Sequence, residues 1–258
     1  MGAPGCDDAP YITVERDPLV KKKVQFIYPF YRNPAFLEHQ LGVWRSYPDE
    51  LKSCLTVTVV DDGSPEEDGA LQVLKRTDRK GLPPLRLFRI DVDVRWNWLA
   101  ARNIGAHHAK DGWLLITDMD HVVPQDTLSM LVYGKHSPKN IYRFSRVEHS
   151  APEVKIHNHP NSWFYTKEMY WRIGGHDEAF SGFYGTDGEY RRRCAATAPI
   201  FIHREPLVRY EYQGDSSTTH YKRKQPEDAA VKQIIGRRKR GWQPRVLSFP
   251  YREISINA

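Results

Sequence analysis

Cysteine is scarce in this 258-residue chain: only Cys6, Cys54 and Cys194 occur, far apart. Three thiols at such spacing make neither a disulfide framework nor a zinc pattern, and they fit a reducing compartment. Long apolar runs are missing too. No segment approaches the roughly 18 consecutive apolar residues that a membrane helix needs. Residues 1–18 mix Gly, Pro and acids without an apolar stretch, so they do not read as a signal peptide. A cytoplasmic location with no membrane span is the resulting expectation. Internal repeats and low-complexity tracts are absent as well. The glycine motifs G-x-x-x-x-G-K-[ST] and G-x-G-x-x-G do not occur usefully, which argues against Walker-type ATPases and dinucleotide dehydrogenases. Without G-x-S-x-G, a serine hydrolase is disfavoured.

What is present is enough apolar material, 40% of residues, for one large core, and a charged fraction of 27% that suits a folded, soluble chain. The net charge of +6 is unevenly spread. Between Lys222 and Arg245 nine basic residues face two acids, Glu227 and Asp228, so the rest of the chain carries about −1. A near-neutral body with a basic end points to a local anionic partner, whether donor phosphates, a nucleic acid or an anionic surface.

Along the chain, Val24–Tyr28 reads as a buried strand closed by Pro29 and by Asn33-Pro34. Leu37, Leu41 and Trp44 then fall on one face of an amphipathic helix. Leu55–Val60 is a second strand, stopped by Asp61-Asp62-Gly63-Ser64-Pro65. A third covers Leu85–Ile90. Asn97 is placed to cap a helix reaching about Ala109, and Trp113–Thr117 is a fourth strand running into Asp118. Strands alternating with helices predict an α/β fold with a mainly parallel sheet covered by helices. Ligands of such sheets gather at the carboxyl ends of the strands. Further on, strand-like pieces appear near 141–144, 162–166 and 200–203, and a helix begins near Glu189. The predicted organisation is an N-terminal extension (1–21), one catalytic-type domain (22–221) and a basic C-terminal segment (222–258).

Two acidic clusters sit at predicted strand ends. In Asp118-Met119-Asp120, carboxylates two apart in an extended segment project to one side and can approach one cation. Cations of the Mg²⁺ kind are commonly held by one or two carboxylates plus substrate phosphate oxygens. Asp61-Asp62 is either an ordinary turn or a carboxylate placed to accept a nucleobase N–H. Arg102, on a helix rich in small residues, could reach a phosphate or an acidic ligand.

The ordered set Tyr28-Pro29-Phe30-Tyr31-Arg32-Asn33, Val60-Asp61-Asp62-Gly63-Ser64, Ala101-Arg102-Asn103-Ile104-Gly105 and Asp118-Met119-Asp120 resembles the large GT-A glycosyltransferase family over roughly residues 22–125. The resemblance implies a Rossmann-like GT-A domain that binds a nucleotide-sugar, usually a UDP-sugar. It assigns the nucleobase to Pro29, Tyr31 and Asp61 or Asp62. Asp118 would contact ribose, and Asp118 with Asp120 would hold Mn²⁺ or Mg²⁺ on the diphosphate. The stretch Ile173–Phe180 followed by Gly182–Glu189 is similar to galactosyl- and N-acetylgalactosaminyltransferase relatives. There an acid of the glycine-rich loop is the general base of inverting transfer. Aligning the glycines selects Asp187, with Glu189 as substitute. Phe183 stands where Trp is usual, and Thr186 where an acid is usual. A histidine supplies the third metal ligand in several relatives; His220 is the candidate, with His203 competing. A histidine ligand would favour manganese over magnesium. His157 and His159 read as structural or acceptor-side.

Rival readings are a nucleotidyltransferase, which would want a glycine-rich basic loop after the first strand, and a non-enzymatic nucleic-acid binder. The latter would use the basic segment with Tyr221 and Trp242 for stacking. A combined version is a glycosyltransferase modifying hydroxylated bases in DNA, its basic end gripping phosphates.

Overall fold

A computed structural model of the chain describes residues 9–183, 186–210, 232–236, 241 and 243–256. Cys6, His220, Tyr221 and Trp242, with most of the basic segment, lie outside the described residues.

In chain order the strands are β1 (Tyr11–Ile12), β2 (Val24–Phe30), β3 (Leu55–Asp61), β4 (Leu85–Ile90), β5 (Trp113–Ile116), β6 (His121–Val122), β7 (Ile141–Glu148), β8 (Ala151–Ile156), β9 (Trp163–Thr166), β10 (Ile200–Arg209) and β11 (Tyr251–Ile254). The α-helices are α1 (Pro34–Ser46), α2 (Asp49–Lys52), α3 (Ala70–Arg76), α4 (Trp98–His108), α5 (Gln125–Tyr133), α6 (Lys167–Ile173) and α7 (Asp187–Thr197). One mixed sheet orders the strands β1-β10-β7-β9-β5-β2-β3-β4-β11, with β6 added to β10 and β8 to β7. Its centre, β5-β2-β3-β4, is parallel, as the alternating pattern predicted. Antiparallel β9 then joins this half to the parallel pair β7 and β10.

The period of two along β2 explains how the sheet is covered. Phe26, Tyr28 and Phe30 face a cluster built with Leu37, Leu41 and Trp44 of α1 and Leu128 and Leu131 of α5. Ile27 faces the other side, with Leu114, Ile116, Ala106, Met169 and Tyr190. Helix α1 starts where Asn33-Pro34 was expected to turn: the Asn33 side chain accepts from the Phe36 amide at 3.3 Å, and Pro34 occupies the first turn. Helix α4 lies close on the sheet because it has little to hold it off. A Cβ on Gly105 would collide with the Ile27 side chain. Asn97 precedes α4 as predicted, but its side chain makes no cap bond; its Oδ1 instead accepts from the Ser181 hydroxyl at 2.5 Å.

At the far edge, β11 pairs antiparallel with β4. The end of the basic segment therefore returns to the sheet. Its approach is fixed by Glu178, which is 1% exposed. That carboxylate accepts from the Leu247 amide (2.7 Å), the Ser248 amide and hydroxyl (2.6 Å each) and Asn103 Nδ2 (2.8 Å).

Cys54 and Cys194 are free and buried, in keeping with the reading of unpaired thiols. His203, the competing metal-ligand candidate, is a core residue: its Nε2 lies 3.2 Å from His136 Nε2, and its ring stacks on Tyr142. Burial, aided by the Lys22 charge and opposed by a bond to the Gly134 carbonyl, lowers His136 to about 3. Burial and His136 push His203 well below the usual imidazole value. Both are neutral in the fold, whereas an unfolded chain protonates its histidines near 6.5. Below that pH the unfolded state binds more protons, so stability falls as pH drops from about 6.5 toward the folded values. Each such imidazole contributes a slope of about 1.4 kcal/mol per pH unit. Urea midpoints measured from pH 7.5 down to 5 should fall, and less so in His136→Gln. A wild-type midpoint flat across that range would refute the assignment.

Candidate functional site

The site is built on the carboxyl ends of β2, β3 and β5, and the loops after β2, β3 and β4 are cross-tied beside it. After β3, Gly63 adopts φ +71°, and a Cβ there would collide with the Val92 carbonyl oxygen. Only glycine lets this turn press against the loop after β4. The Ser64 hydroxyl accepts from the Arg32 amide at 3.0 Å, joining the loops after β2 and β3. The Tyr31 hydroxyl lies 3.2 Å from Asp93, joining the loops after β2 and β4. Pro29, at the end of β2, is half-buried beside them.

The structure separates the roles of Asp61 and Asp62. Asp61 Oδ1 accepts from the Ser64 amide and Oδ2 from the Ala70 amide, both at 2.8 Å, with Arg89 3.5 Å away. It is committed to the turn and to the start of α3. Asp62 is 4% exposed, and its Oδ1 is buried with no partner among the described residues. Burial, reinforced by the charges of Asp61 and Asp93 and opposed by one bond from the Asn97 amide, raises its carboxyl well above the usual range. A buried acceptor left open is costly, and a ligand N–H would satisfy it.

The Asp118–Asp120 segment corrects one sequence expectation. It is a turn, with the His121 amide bonded to the Asp118 carbonyl at 3.0 Å, not an extended stretch. Its backbone is held from α1 by buried Gln40, whose Nε2 donates to the carbonyls of Met119 (2.9 Å) and His121 (2.8 Å). The carboxylates keep different company. Asp118 is ion-paired with Arg102, and its Oδ2 lies 3.3 Å from His159 Nε2. Asp120 Oδ1 lies 2.6 Å from His121 Nδ1. The His121 and His159 rings lie against each other, tilted by 31°, with centroids 4.1 Å apart.

Burial raises the Asp118 carboxyl, against Arg102 and with the neighbouring charges of Asp120 and Asp187. For Asp120 burial is outweighed by His121, Arg146 and Arg209, which lower it. About a third of each side chain reaches solvent, 32% and 34%. Two carboxylates, open on one side, are a hard oxygen donor set of the kind that holds a divalent cation together with phosphate oxygens. Among the described residues no three His, Cys, Asp or Glu form a ready-made metal cluster. The set would have to be completed by the ligand or by residues such as His220 that lie outside the description.

Arg102 is fully buried, with its guanidinium 4.2 Å over the Trp98 ring and its Nε and Nη1 unpartnered among the described residues. Next to it, Asn103 ties α4 to the second half of the chain. Its Oδ1 accepts from the His176 amide (2.9 Å), and its Nδ2 donates to the His176 carbonyl (2.7 Å) and to Glu178. Adjacent residues of one helix thus hold the acidic turn and the 176–178 stretch. The sequence reading passed over Asn103, although the Arg-Asn pair in its motif was visible.

Asp187 opens α7, half-exposed and near enough to Asp118 for its charge to raise that carboxyl. Glu189 is differently placed. It is 8% exposed and bound through both oxygens to Arg193 (2.8 and 3.0 Å), which also donates to the carbonyls of Ile173 and Gly175.

A family model described as "Glycosyl transferase family 2" matches residues 46–190, more than half of the chain. The chain belongs to that family. None of the curated protein sequences compared with it matches. Several solved structures share its GT-A fold. Residues 1–349 of S. aureus TarS, in complex with UDP-GlcNAc, align with a TM-score of 0.63 at 17% identity, covering 83% of this chain and 65% of that one. The mannosyltransferase PcManGT from Pyrobaculum calidifontis, in complex with GDP-Man and Mn²⁺, gives 0.61 at 20% identity, covering 93% and 70%. GalNAc-T7 with UDP, GalNAc and Mn²⁺ gives 0.60 at 13% identity, covering 89% and 52%. This chain thus spans roughly half to two thirds of the length of these proteins. Among the described residues, no helix is long and apolar enough to cross a membrane.

Proposed function

We propose that the chain transfers a sugar from a nucleotide-sugar, specifically a UDP-sugar, to an acceptor hydroxyl with inversion at the anomeric carbon. The observation that carries this reading is the arrangement of carboxylates at the carboxyl ends of the central strands. Asp62, with its open buried oxygen, directly follows β3; Asp118 and Asp120 follow β5; Asp187 lies within electrostatic reach of Asp118. Because β2 separates β3 from β5, their ends stand about 10 Å apart, a span that a nucleoside diphosphate can bridge.

In this reading Asp62 accepts the single N–H of uracil, and Pro29 and Tyr31 line the base. Asp118 and Asp120, with His220 as the proposed third ligand, would hold Mn²⁺ or Mg²⁺. That cation would supply Lewis-acid stabilisation of the charge on the departing diphosphate. Arg102 keeps Asp118 oriented. Asp187 takes the proton of the acceptor hydroxyl from about 3 Å as the new C–O bond forms and the bond to the diphosphate oxygen breaks. The commitment of Glu189 to Arg193 supports Asp187 as the base. Most of the basic segment on which a DNA-directed reading would rest lies outside the described residues, and the acceptor hydroxyl in this reading belongs to a saccharide or a protein.

A donor-hydrolysis screen with UDP- and GDP-sugars, with and without Mn²⁺, tests this directly. UDP-sugars should release UDP in a metal-dependent manner. Asp62→Ala should weaken UDP binding by about 10- to 100-fold, roughly the cost of leaving a buried base N–H without its acceptor. Asp120→Ala should lose the metal-dependent part of binding. Release of nucleotide from no UDP-sugar, or unchanged UDP affinity in both variants, would sink the reading.

A further inference from the structure

Both carboxylates of the acidic turn have a histidine partner, but the two histidines differ in origin. His121 is the next residue along the chain. His159 comes from the loop between β8 and β9, and the fold invests heavily in delivering it. Arg143, fully buried on β7 with its guanidinium 5.3 Å over the Trp163 ring, donates Nη2 to the carbonyls of His159 (3.1 Å) and Asn158 (3.4 Å). At the ring itself, Nδ1 lies 3.1 Å from the Ser162 hydroxyl, which is 2.7 Å from the Thr117 hydroxyl. Ser162 and Thr117 are buried, and Thr117 directly precedes Asp118. On the other side of the ring, Nε2 lies 3.3 Å from Asp118 Oδ2.

This connectivity fixes a tautomer. An anionic Asp118 can only accept, so Nε2 carries the hydrogen and Nδ1 accepts from Ser162. The chain Thr117–Ser162–His159–Asp118 is closed, with each member oriented by the one before it. Arg102 grips the other Asp118 oxygen, Oδ1. Carboxylates that bind metals are ordinarily oriented by such outer partners, whose loss weakens metal affinity by about 10- to 100-fold.

We infer that His159 is a positioning residue: its Nε2–H, set by Ser162, holds the Asp118 carboxylate in the orientation that receives the donor's cation. The inference rests on the proposed role of Asp118 and Asp120, and it assigns a site function to a loop of the second half that otherwise only frames the sheet. His159 is not placed as a metal ligand here; its nitrogen faces the carboxylate.

The test is Mn²⁺ titration of the full chain, followed by the loss of the free-ion EPR signal, with and without UDP. Wild type, Asp120→Ala, His159→Phe, His159→Gln and Ser162→Ala are compared, each checked for an unchanged circular dichroism spectrum. His159→Phe keeps a ring against His121 but has no N–H, and should bind Mn²⁺ 10- to 100-fold more weakly. His159→Gln keeps a donor near the Nε2 position without the ring, and should recover most of that loss. Ser162→Ala should fall between Gln and wild type. If His159→Phe binds Mn²⁺ as wild type does while Asp120→Ala does not, the inference is overturned and the metal-site reading stands. If Asp120→Ala also binds normally, the metal-site reading itself has failed. Imidazole nitrogen coupling to bound Mn²⁺ that disappears in His159→Phe would make His159 a ligand and also overturn the positioning role.

Discussion

Asp187→Asn should bind UDP and Mn²⁺ as tightly as wild type and turn over about 10²- to 10⁴-fold more slowly, the usual worth of a general base. The amide is nearly the same size as the carboxylate but cannot take a proton from the acceptor hydroxyl. Its position favours a clean result, because no secondary or tertiary bond among those above depends on the Asp187 side chain. Glu189→Gln should behave differently. It disrupts the bidentate pair with Arg193 and the anchoring of the Ile173 and Gly175 carbonyls, so it should lower the melting temperature with a smaller effect on turnover. Single-turnover transfer to acceptor, measured beside UDP affinity, separates the two. Near-normal turnover in Asp187→Asn would remove that residue from the mechanism.

Glu178→Ala should be the most destabilising single change described here, costing on the order of 3–5 kcal/mol. The carboxylate is almost wholly buried and accepts from two backbone amides, a hydroxyl and the Asn103 amide. Alanine leaves all four donors without their acceptor in a site that the fold keeps from solvent. Denaturant unfolding should show the loss, and limited proteolysis should show earlier cleavage near residues 243–249. A cost under about 1 kcal/mol would mean that water replaces the carboxylate without difficulty.

The first half of the fold could be read from sequence because its signals are local. The β-branched run at Leu55–Val60, the Leu37/Leu41/Trp44 spacing and the Asn33-Pro34 junction each specify an element by short-range physics. The strands at 85–90 and 113–116 followed from the same logic. Helices α5 and α6 were not anticipated: Gln125–Tyr133 and Lys167–Ile173 are short, and their helicity depends on packing against the sheet more than on propensity. Strands β6, β8 and β11 were missed for a related reason, since pairing with distant partners is what makes them strands.

At the site, residue types were legible and partnerships were not. The carboxylate pairs announced themselves by position after apolar strands. That Asp61 would be consumed by the turn while Asp62 kept an open oxygen depends on which way each side chain points at a glycine-enforced bend. The turn at Asp118–Asp120 was misread as extended because Gln40, 79 residues before Met119, supplies the bonds that fold it back. His159 and Arg143 gave little signal, because their meaning arises only when the β8–β9 loop meets the end of β5.

The last strand has a practical side. β11 covers the outer hydrogen-bonding row of β4, which would otherwise be a naked margin open to pairing with any extended peptide. Trimming the basic stretch by cutting everything beyond residue 245 would uncover that margin and remove the chain that seals Glu178. Material prepared that way should precipitate or form ordered aggregates on storage, which light scattering against the full chain would show.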